Sequence, residues 1–440
     1  MQKWKICLSL VSLCLFVGAI GCGDNDVEDN ADDPDQSKEN TNDPDPNNQD
    51  SNGGSDALFS IDGDFANHSA LGPDGLLYVA SENNAGKTGL FVLDTDGDLV
   101  WSLTEPLSDS PMMTEDFRVN GPTLDLDRDQ VIFGNRDDNR LYAFELHTWE
   151  EELRPNASGV TMIALDDDGN IYSVNDSVNN AVGSMTPDGS LRWNRQHDVN
   201  FSDYPHPALS DEHSAIYVGT RHGSLVALDL EEGDTLWELQ LDPDENHIRS
   251  APAIVDDTLY VGSAEGLHAI DLIDGEVTWT VEDPDFRANG DVVISPDGET
   301  IYIQFSTHFS GDGSGNSFYA VDTEGEVLWQ TELSERDRSA SAVVADDGTI
   351  YLTLDSSISA VDPESGTESW AVDLTEDYSG APHPQGAPLL GDDGTLYVIT
   401  RHRTDRTGKV IALPTDSGGI SETSPWPTPG GDQQRTGRAH

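Results

Sequence analysis

The stretch "SAPAIVDDTLYVGSAEGLHAIDLIDGEVTW", residues 250–279, decides the fold. It holds four short β-type segments divided by turn chemistry. An apolar segment ends at an Asp-Asp turn, and a Leu-Tyr strand follows. After a polar hairpin, the third segment closes on Ala-x-Asp. A Gly-containing turn then leads to a fourth segment carrying Trp279. Alternating β-branched and aromatic residues bounded by Asp and Gly are the signal of antiparallel hairpins. Four such strands in one unit of this length make the blade of a propeller.

The same unit recurs on both sides. Residues 206–237 read "HPALSDEHSAIYVGTRHGSLVALDLEEGDTLW", and residues 339–370 read "SASAVVADDGTIYLTLDSSISAVDPESGTESW". The second-strand marker falls at Tyr78, Ile132, Tyr172, Tyr217, Tyr260, Tyr302, Tyr351 and Tyr397, which makes eight units. The fourth-strand marker falls at Trp101, Leu153, Trp193, Trp237, Trp279, Trp329 and Trp370. Trp149 is outside this series, because aligning its stretch on Ala143 places Leu153 in the Trp slot. The eighth unit lacks a fourth strand, and "ALFSID" at residues 57–62 supplies it from the other end of the chain. The expectation is an all-β, eight-bladed propeller over residues 57–440, its blades four-stranded and antiparallel. An N-terminal strand closes the ring and leaves no open sheet edge there.

These units resemble the pyrroloquinoline-quinone repeat family, whose blades carry Ala-x-Asp, a Thr-Gly-like turn and then Trp. The resemblance implies that the Trp of one blade packs against a small Ala of its neighbour, here Ala227, Ala269, Ala320 and Ala360. The family divides into quinone-dependent dehydrogenases and non-enzymatic binders. The dehydrogenases hold calcium with a Glu, an Asn and an Asp, and often carry a vicinal Cys pair. No set here maps onto those cofactor positions and no vicinal Cys pair is present, so neither cofactor nor metal is expected. The binders include an anchored, eight-bladed lipoprotein of outer-membrane barrel assembly, and this chain follows their pattern. Residues 425–439, "PWPTPGGDQQRTGRA", resemble a segment often found at the ends of such propellers, with no role assigned.

The N-terminus suggests how the ring reaches its compartment. Lys3 and Lys5 precede an apolar run from Ile6 to Ile20, followed by Ala19-Ile20-Gly21-Cys22. Residues 1–21 are expected to be a signal peptide, and Cys22 a lipidation site of lipobox type, although Ala19 replaces the usual Leu. Residues 22–56 are rich in Asp, Asn, Gly and Pro. They are expected to form a disordered acidic tether, because they have too little apolar surface to offset ordering entropy. The three cysteines, Cys7, Cys14 and Cys22, all fall in this N-terminal part, so thiol catalysis has no residue in the ring.

The 83 Asp and Glu against 22 Lys and Arg give a formal charge of −61. That excludes a nucleic-acid partner, since phosphates need a basic surface. A Lys-poor, Asp-rich surface of this kind resembles those of halophiles. The clusters Asp94, Asp96, Asp98; Asp125, Asp127, Asp129; and Asp166, Asp167, Asp168 are expected to be turns, since none continues into a full calcium loop.

The scarce basic residues are more informative. Arg221 and His222 follow the second strand of blade four; Arg401, His402 and Arg403 follow that of blade eight. His68, His206 and His383 precede first strands. Second-to-third and fourth-to-next-first connections leave an up-and-down blade from the same face. Arg221, His222, Arg401, His402, Arg403, His206 and His383 are thus the candidate ligand-binding face, two basic edges across a funnel. Salt-bridged loop cations in an acidic field are the simpler reading of the same residues. No Ser-His-Asp, Walker-type or His-Glu-x-x-His motif appears. The expected function is a non-catalytic scaffold at the cell envelope. It would bind a protein partner and meet the membrane only through its lipid, on the periplasmic or surface side of an outer membrane. A quinoprotein oxidoreductase and an extracellular carbohydrate or polymer binder are the alternatives.

Overall fold

The computed structural model describes residues 57–63, 65–81, 90–103, 121–135, 140–153, 160–175, 181–197, 206–244, 246–284, 286–306, 316–333, 341–354, 356–374, 382–384, 386–402, 408–421, 423–432 and 434–438. They form eight antiparallel sheets, an eight-bladed β-propeller. Blade four is representative: Ala208–Ser210, Ala215–Gly219, Ser224–Asp229 and Thr235–Gln240 pair in chain order, from axis to rim. In blades six and eight the innermost strand is broken in two, as Arg287–Ala288 with Val293–Ile294 and as Pro382–Pro384 with Leu389–Leu390.

Closure follows the sequence expectation, shifted by a residue or two. Phe59–Gly63 pairs antiparallel with Gly408–Pro414, from Phe59 opposite Ala412 to Gly63 opposite Gly408. It is the fourth strand of blade eight, drawn from the start of the chain. Apolar side chains then fill each seam between blades. Leu71, Leu77 and Val79 of blade one pack with Leu389, Ile399 and Val410 of blade eight.

One row of side chains explains the repeat. Tyr217, Ala227 and Trp237 are register partners across the second, third and fourth strands. The two aromatic rings meet over the small alanine, centroids 5.6 Å apart. The same row recurs as Tyr260, Ala269, Trp279 and as Tyr351, Ala360, Trp370, at 5.7 and 5.8 Å. A larger residue at the alanine would wedge the rings apart. Tilted pairs of this kind contribute about 0.5–1.5 kcal/mol beyond area burial.

The alanine therefore lies opposite the indole of its own blade, a correction to the expectation of an alanine from the neighbouring repeat. What the indole meets in the next blade is a turn glycine. Trp193 lies against Gly233, Trp237 against Gly275, Trp279 against Gly325 and Trp329 against Gly366, and all four glycines have positive φ. A Cβ at Gly233 would sit 2.6 Å from the Trp193 ring. Each indole Nε1 also donates to a carbonyl in that turn: Trp193 to Leu230 at 2.9 Å, Trp329 to Pro363 at 2.8 Å. Glycine supplies both the left-handed backbone and the room for the ring.

The alternation of strands gives the ring two unlike faces. First-to-second and third-to-fourth turns share one face and are short, from residues 256–257 alone up to 362–367. At the other face lie the strand ends that lead into the second-to-third and blade-to-blade connections, the longer of which separate Leu103 from Thr123, Ser306 from Asn316 and Leu333 from Ala342.

Candidate functional site

The short-turn face is built on aspartates that hold their own loops. Asp94 Oδ1 accepts from the N–H groups of Asp96 and Asp98, at 3.0 and 2.8 Å. Asp125 takes the Arg128 N–H, and Asp166 takes Asn170 and the Tyr172 hydroxyl. The leading Asp of each acidic cluster is thus engaged in a local turn, as Asx geometry favours. A recess of about 520 Å³ lies on this face between blades one and eight, walled in part by Asp74, Asp392, Asp393 and Asp432. No basic side chain is among its described lining residues, so it disfavours anions.

Basic side chains gather at the opposite face. Arg221 and His222 occupy the turn between Ala215–Gly219 and Ser224–Asp229, and His222 is exposed. Arg401, half-buried, lies in Thr395–His402. Its register partners are His383 and Gly408, while His402 lies opposite Pro382. The backbones of His383, Arg401 and His402 therefore meet at one end of blade eight. His68 and His383 lie within strands rather than before them. Arg403, Cys22 and the expected signal and tether segments fall outside the described residues.

Three half-buried basic side chains on this face escaped the sequence reading: His247 and Arg249 in the connection into blade five, and Arg287 at the start of the innermost strand of blade six. The available signal was a basic residue just ahead of the innermost strand or opening it, as in "HIRSAPAI" and "DFRANGDVVI". With Arg140 and Lys409, also at this end of their strands, they give the face its cationic side chains. Among the described residues the short-turn face has Arg128, Arg192 and Arg438, and each lies beside an aspartate.

His206 behaves differently from its partners in the candidate set. It is 7% exposed, and its Nε2 lies 3.0 Å from Arg435 Nη1. Because a guanidinium only donates, His206 Nε2 accepts, and the imidazole is held neutral with its proton on Nδ1. Arg435 belongs to the C-terminal segment and reaches into the central channel. Its Nε donates to the Ser69 carbonyl. Burial pulls its pKa down to about 10, opposed by the charges of Asp291 and Asp432, so it stays cationic at neutral pH. Asp291 lines the channel, accepting from the Ala251 N–H at 2.9 Å and the Ser341 hydroxyl at 2.7 Å. Desolvation raises its pKa, and those two hydrogen bonds together with Arg435 oppose the rise.

Chemically, this arrangement offers charge recognition at a rim and a hydrogen-bonded polar set on the axis. Among the described residues no group of three or more His, Cys, Asp or Glu is placed to hold a metal ion. The basic rim and the axial His206 are separate features, which the sequence reading had placed together.

Comparison with known proteins agrees with this architecture. The family described as outer membrane protein assembly factor BamB matches residues 139–289, 179–354 and 354–421. A curated relative of that name from Yersinia pestis is 22% identical over 290 residues, 60% of this chain. The matched stretch spans 64% of that relative's own length. The crystal structure of BamB from Moraxella catarrhalis superposes with a TM-score of 0.57 at 16% identity, covering 82% of this chain and 100% of that one. Quinohemoprotein alcohol dehydrogenase from Comamonas testosteroni superposes at 0.61 and 14% identity, covering 83% of this chain and 77% of that one. At such identities the solved structures speak for the fold alone.

Proposed function

We propose a binding function from one premise: this chain belongs to the family of the outer membrane protein assembly factor BamB. On this reading it is a non-catalytic envelope lipoprotein, carried by a lipid on Cys22, whose propeller is a scaffold for a protein partner in outer-membrane assembly. The partner docks on the long-connection face and contributes acidic groups to Arg221, His222 and Arg401. The observation that carries the reading is the sidedness of charge. In a chain with 22 basic residues against 83 acidic ones, Arg140, Arg221, Arg249, Arg287, Arg401 and Lys409 lie at one face. Long connections share that face, and such loops on a rigid scaffold are where binding residues concentrate. Opposite charge across an interface chiefly raises association rate and specificity.

A photo-activated cross-linker at His222, compared with one at Asp96 on the short-turn face, tests this in the native envelope. Adducts to one envelope protein from His222 alone are expected; adducts from Asp96 alone would reverse the face. Replacing Cys22 by Ser should release the chain into the soluble envelope fraction, and unchanged detergent dependence would remove the lipid from the reading. The quinoprotein alternative draws on the likeness to the alcohol dehydrogenase fold. A quinone absorbance band that persists on the purified chain after added quinone and calcium are dialysed away would favour it over the scaffold.

A further inference from the structure

The C-terminal segment, residues 415–438, makes contacts that no blade strand makes. It runs across the axis at the short-turn face and bonds the innermost strands one after another. The N–H groups of Leu124, Leu165 and Leu209, in blades two, three and four, donate to the carbonyls of Gln434, Thr436 and Gly437, at 2.9, 2.8 and 2.7 Å. Those of Ile294 and Val344, in blades six and seven, donate to Trp426 and Pro427, at 2.8 and 2.9 Å, and Asp346 donates to Gly419 at 2.9 Å. Leu209 and Arg438 form a parallel bridge. An innermost strand has one edge turned toward the channel, and buried N–H groups on that edge need acceptors. The segment supplies them, as a peptide does when it adds to a sheet edge.

Side chains fix the segment in place. Trp426 is 0% exposed and packs in the cluster that joins blades four, five and six, with Ala208, Ile254 and Ile294. Arg435, 2% exposed, joins Ser69 of blade one to His206 of blade four. Gln434 Nε2 donates to the Leu71 carbonyl at 2.9 Å, and Arg438 pairs with Asp167 at 2.7 Å. Ser417 meets Tyr351 and Asp347 of blade seven, and Thr415 meets Gly394 of blade eight. The segment also holds its own shape. Gly431 N–H donates to Thr428, Gly437 N–H to Gly430, and Thr436 caps on Asp432. Ring strands end at Pro414, and sheet pairing there is complete without the segment.

We propose that residues 415–438 are an axial clasp: a peptide ligand carried on the same chain, bound in a channel that the ring forms without it. The site it fills recognises an extended, Gly- and Pro-rich peptide through the edge N–H groups, with one pocket for an indole and one for a guanidinium. While the clasp is seated the channel is closed at the short-turn face, and it can be entered only from the long-connection face. The inference is independent of the partner proposed above, since it concerns the opposite face.

The test begins with a protease site placed between Pro414 and Thr415 in the full chain, which is folded and then cut. The fragment should stay with the ring on size exclusion, and an excess of a dye-labelled peptide of residues 415–440 should replace it. The same peptide carrying Trp426→Ala and Arg435→Ala should bind at least tenfold more weakly, about the loss that truncating a buried anchor brings. When the fragment is washed out, hydrogen exchange should quicken at the amides of Leu124, Leu165, Leu209, Ile294 and Val344. The second-strand amides of Val218 and Val261 should stay protected. Loss of protection at Val218 and Val261 as well would make the segment an inseparable part of the fold and overturn the clasp. So would equal binding of the doubly substituted peptide, or a fragment that leaves and does not rebind. In the uncut chain the same two substitutions should expose the five inner amides; undiminished protection there would also overturn it.

Discussion

Trp149 lies flat against Trp101, ring centroids 5.0 Å apart and planes 13° from parallel. It does so from the turn position that Gly233, Gly275, Gly325 and Gly366 hold in other blades. Its N–H donates to Glu145 as that of Gly233 donates to Asp229, at 3.0 and 2.9 Å, and its φ of 59° is positive like theirs. In blade two an indole fills the space that elsewhere is left open for the neighbour's indole. The strain of a left-handed tryptophan is offset by stacking.

Two substitutions separate these effects. Gly233→Ala puts a Cβ at a positive φ and 2.6 Å from the Trp193 ring, so a cost of about 2 kcal/mol or more is expected. Trp149→Gly loses about 1 kcal/mol of stacking and its buried area, but regains a similar amount of backbone strain. Chemical denaturation should show Gly233→Ala as the more harmful change. The reverse order would mean that the turn glycines are not there for the indoles.

A buried histidine sets an acid limit. His268 is 4% exposed, with Nε2 2.7 Å from the Ser263 hydroxyl and Nδ1 3.0 Å from Thr280. Burial pulls its pKa from 6.5 down to about 4. Between those values the unfolded chain takes up a proton that the folded chain refuses, so stability falls as pH drops from about 6.5 toward 4. The loss is at most about 3 kcal/mol. His268→Gln keeps hydrogen-bonding capacity without titrating, and its melting temperature should decline less over that window than the parent's. Parallel curves would assign the acid loss to other groups.

Ring closure can be tested by removal. Deleting Phe59–Gly63 leaves Gly408–Pro414 without its outer partner and should lower the melting temperature by many degrees. Removing residues 23–50, a polar stretch outside the described residues with little apolar surface to bury, should leave it nearly unchanged. Equal melting temperatures for the two deletions would contradict closure by the N-terminal strand.

Salt should stabilise the fold strongly. A formal charge of −61 makes the compact state self-repelling in dilute buffer. Near molar sodium chloride the screening length falls to about 3 Å. Melting temperature should climb and then level off, with no added effect of micromolar calcium. A calcium-specific rise would turn the Asp clusters into metal sites; indifference to both salts would mean that the acidic surface is already compensated.

Blade number, strand order and closure were legible because Tyr217, Ala227 and Trp237 mark the middle of their strands, and side-chain alternation then fixes both faces. The contact between blades was not legible. Trp193 meets Gly233 forty residues on, and nothing local in either stretch announces the other. Pro425 to Ala439 stood out as a motif, but the partners of its described residues, among them Ser69, Leu124 and His206, are scattered over the chain. His206 was singled out for its charge, whereas its neighbour Arg435 makes it a neutral acceptor. Sequence spacing places a residue at a face but says little about how deep it lies.

The two ends of the ring share a side. Phe59 begins the outer strand of blade eight opposite Ala412, near the short-turn end, and Arg438 lies against Asp167 in a short turn of blade three. A leash or fusion joined at either end therefore leaves the long-connection side unobstructed. Surface-immobilised protein can use either end as a handle without masking the basic rim.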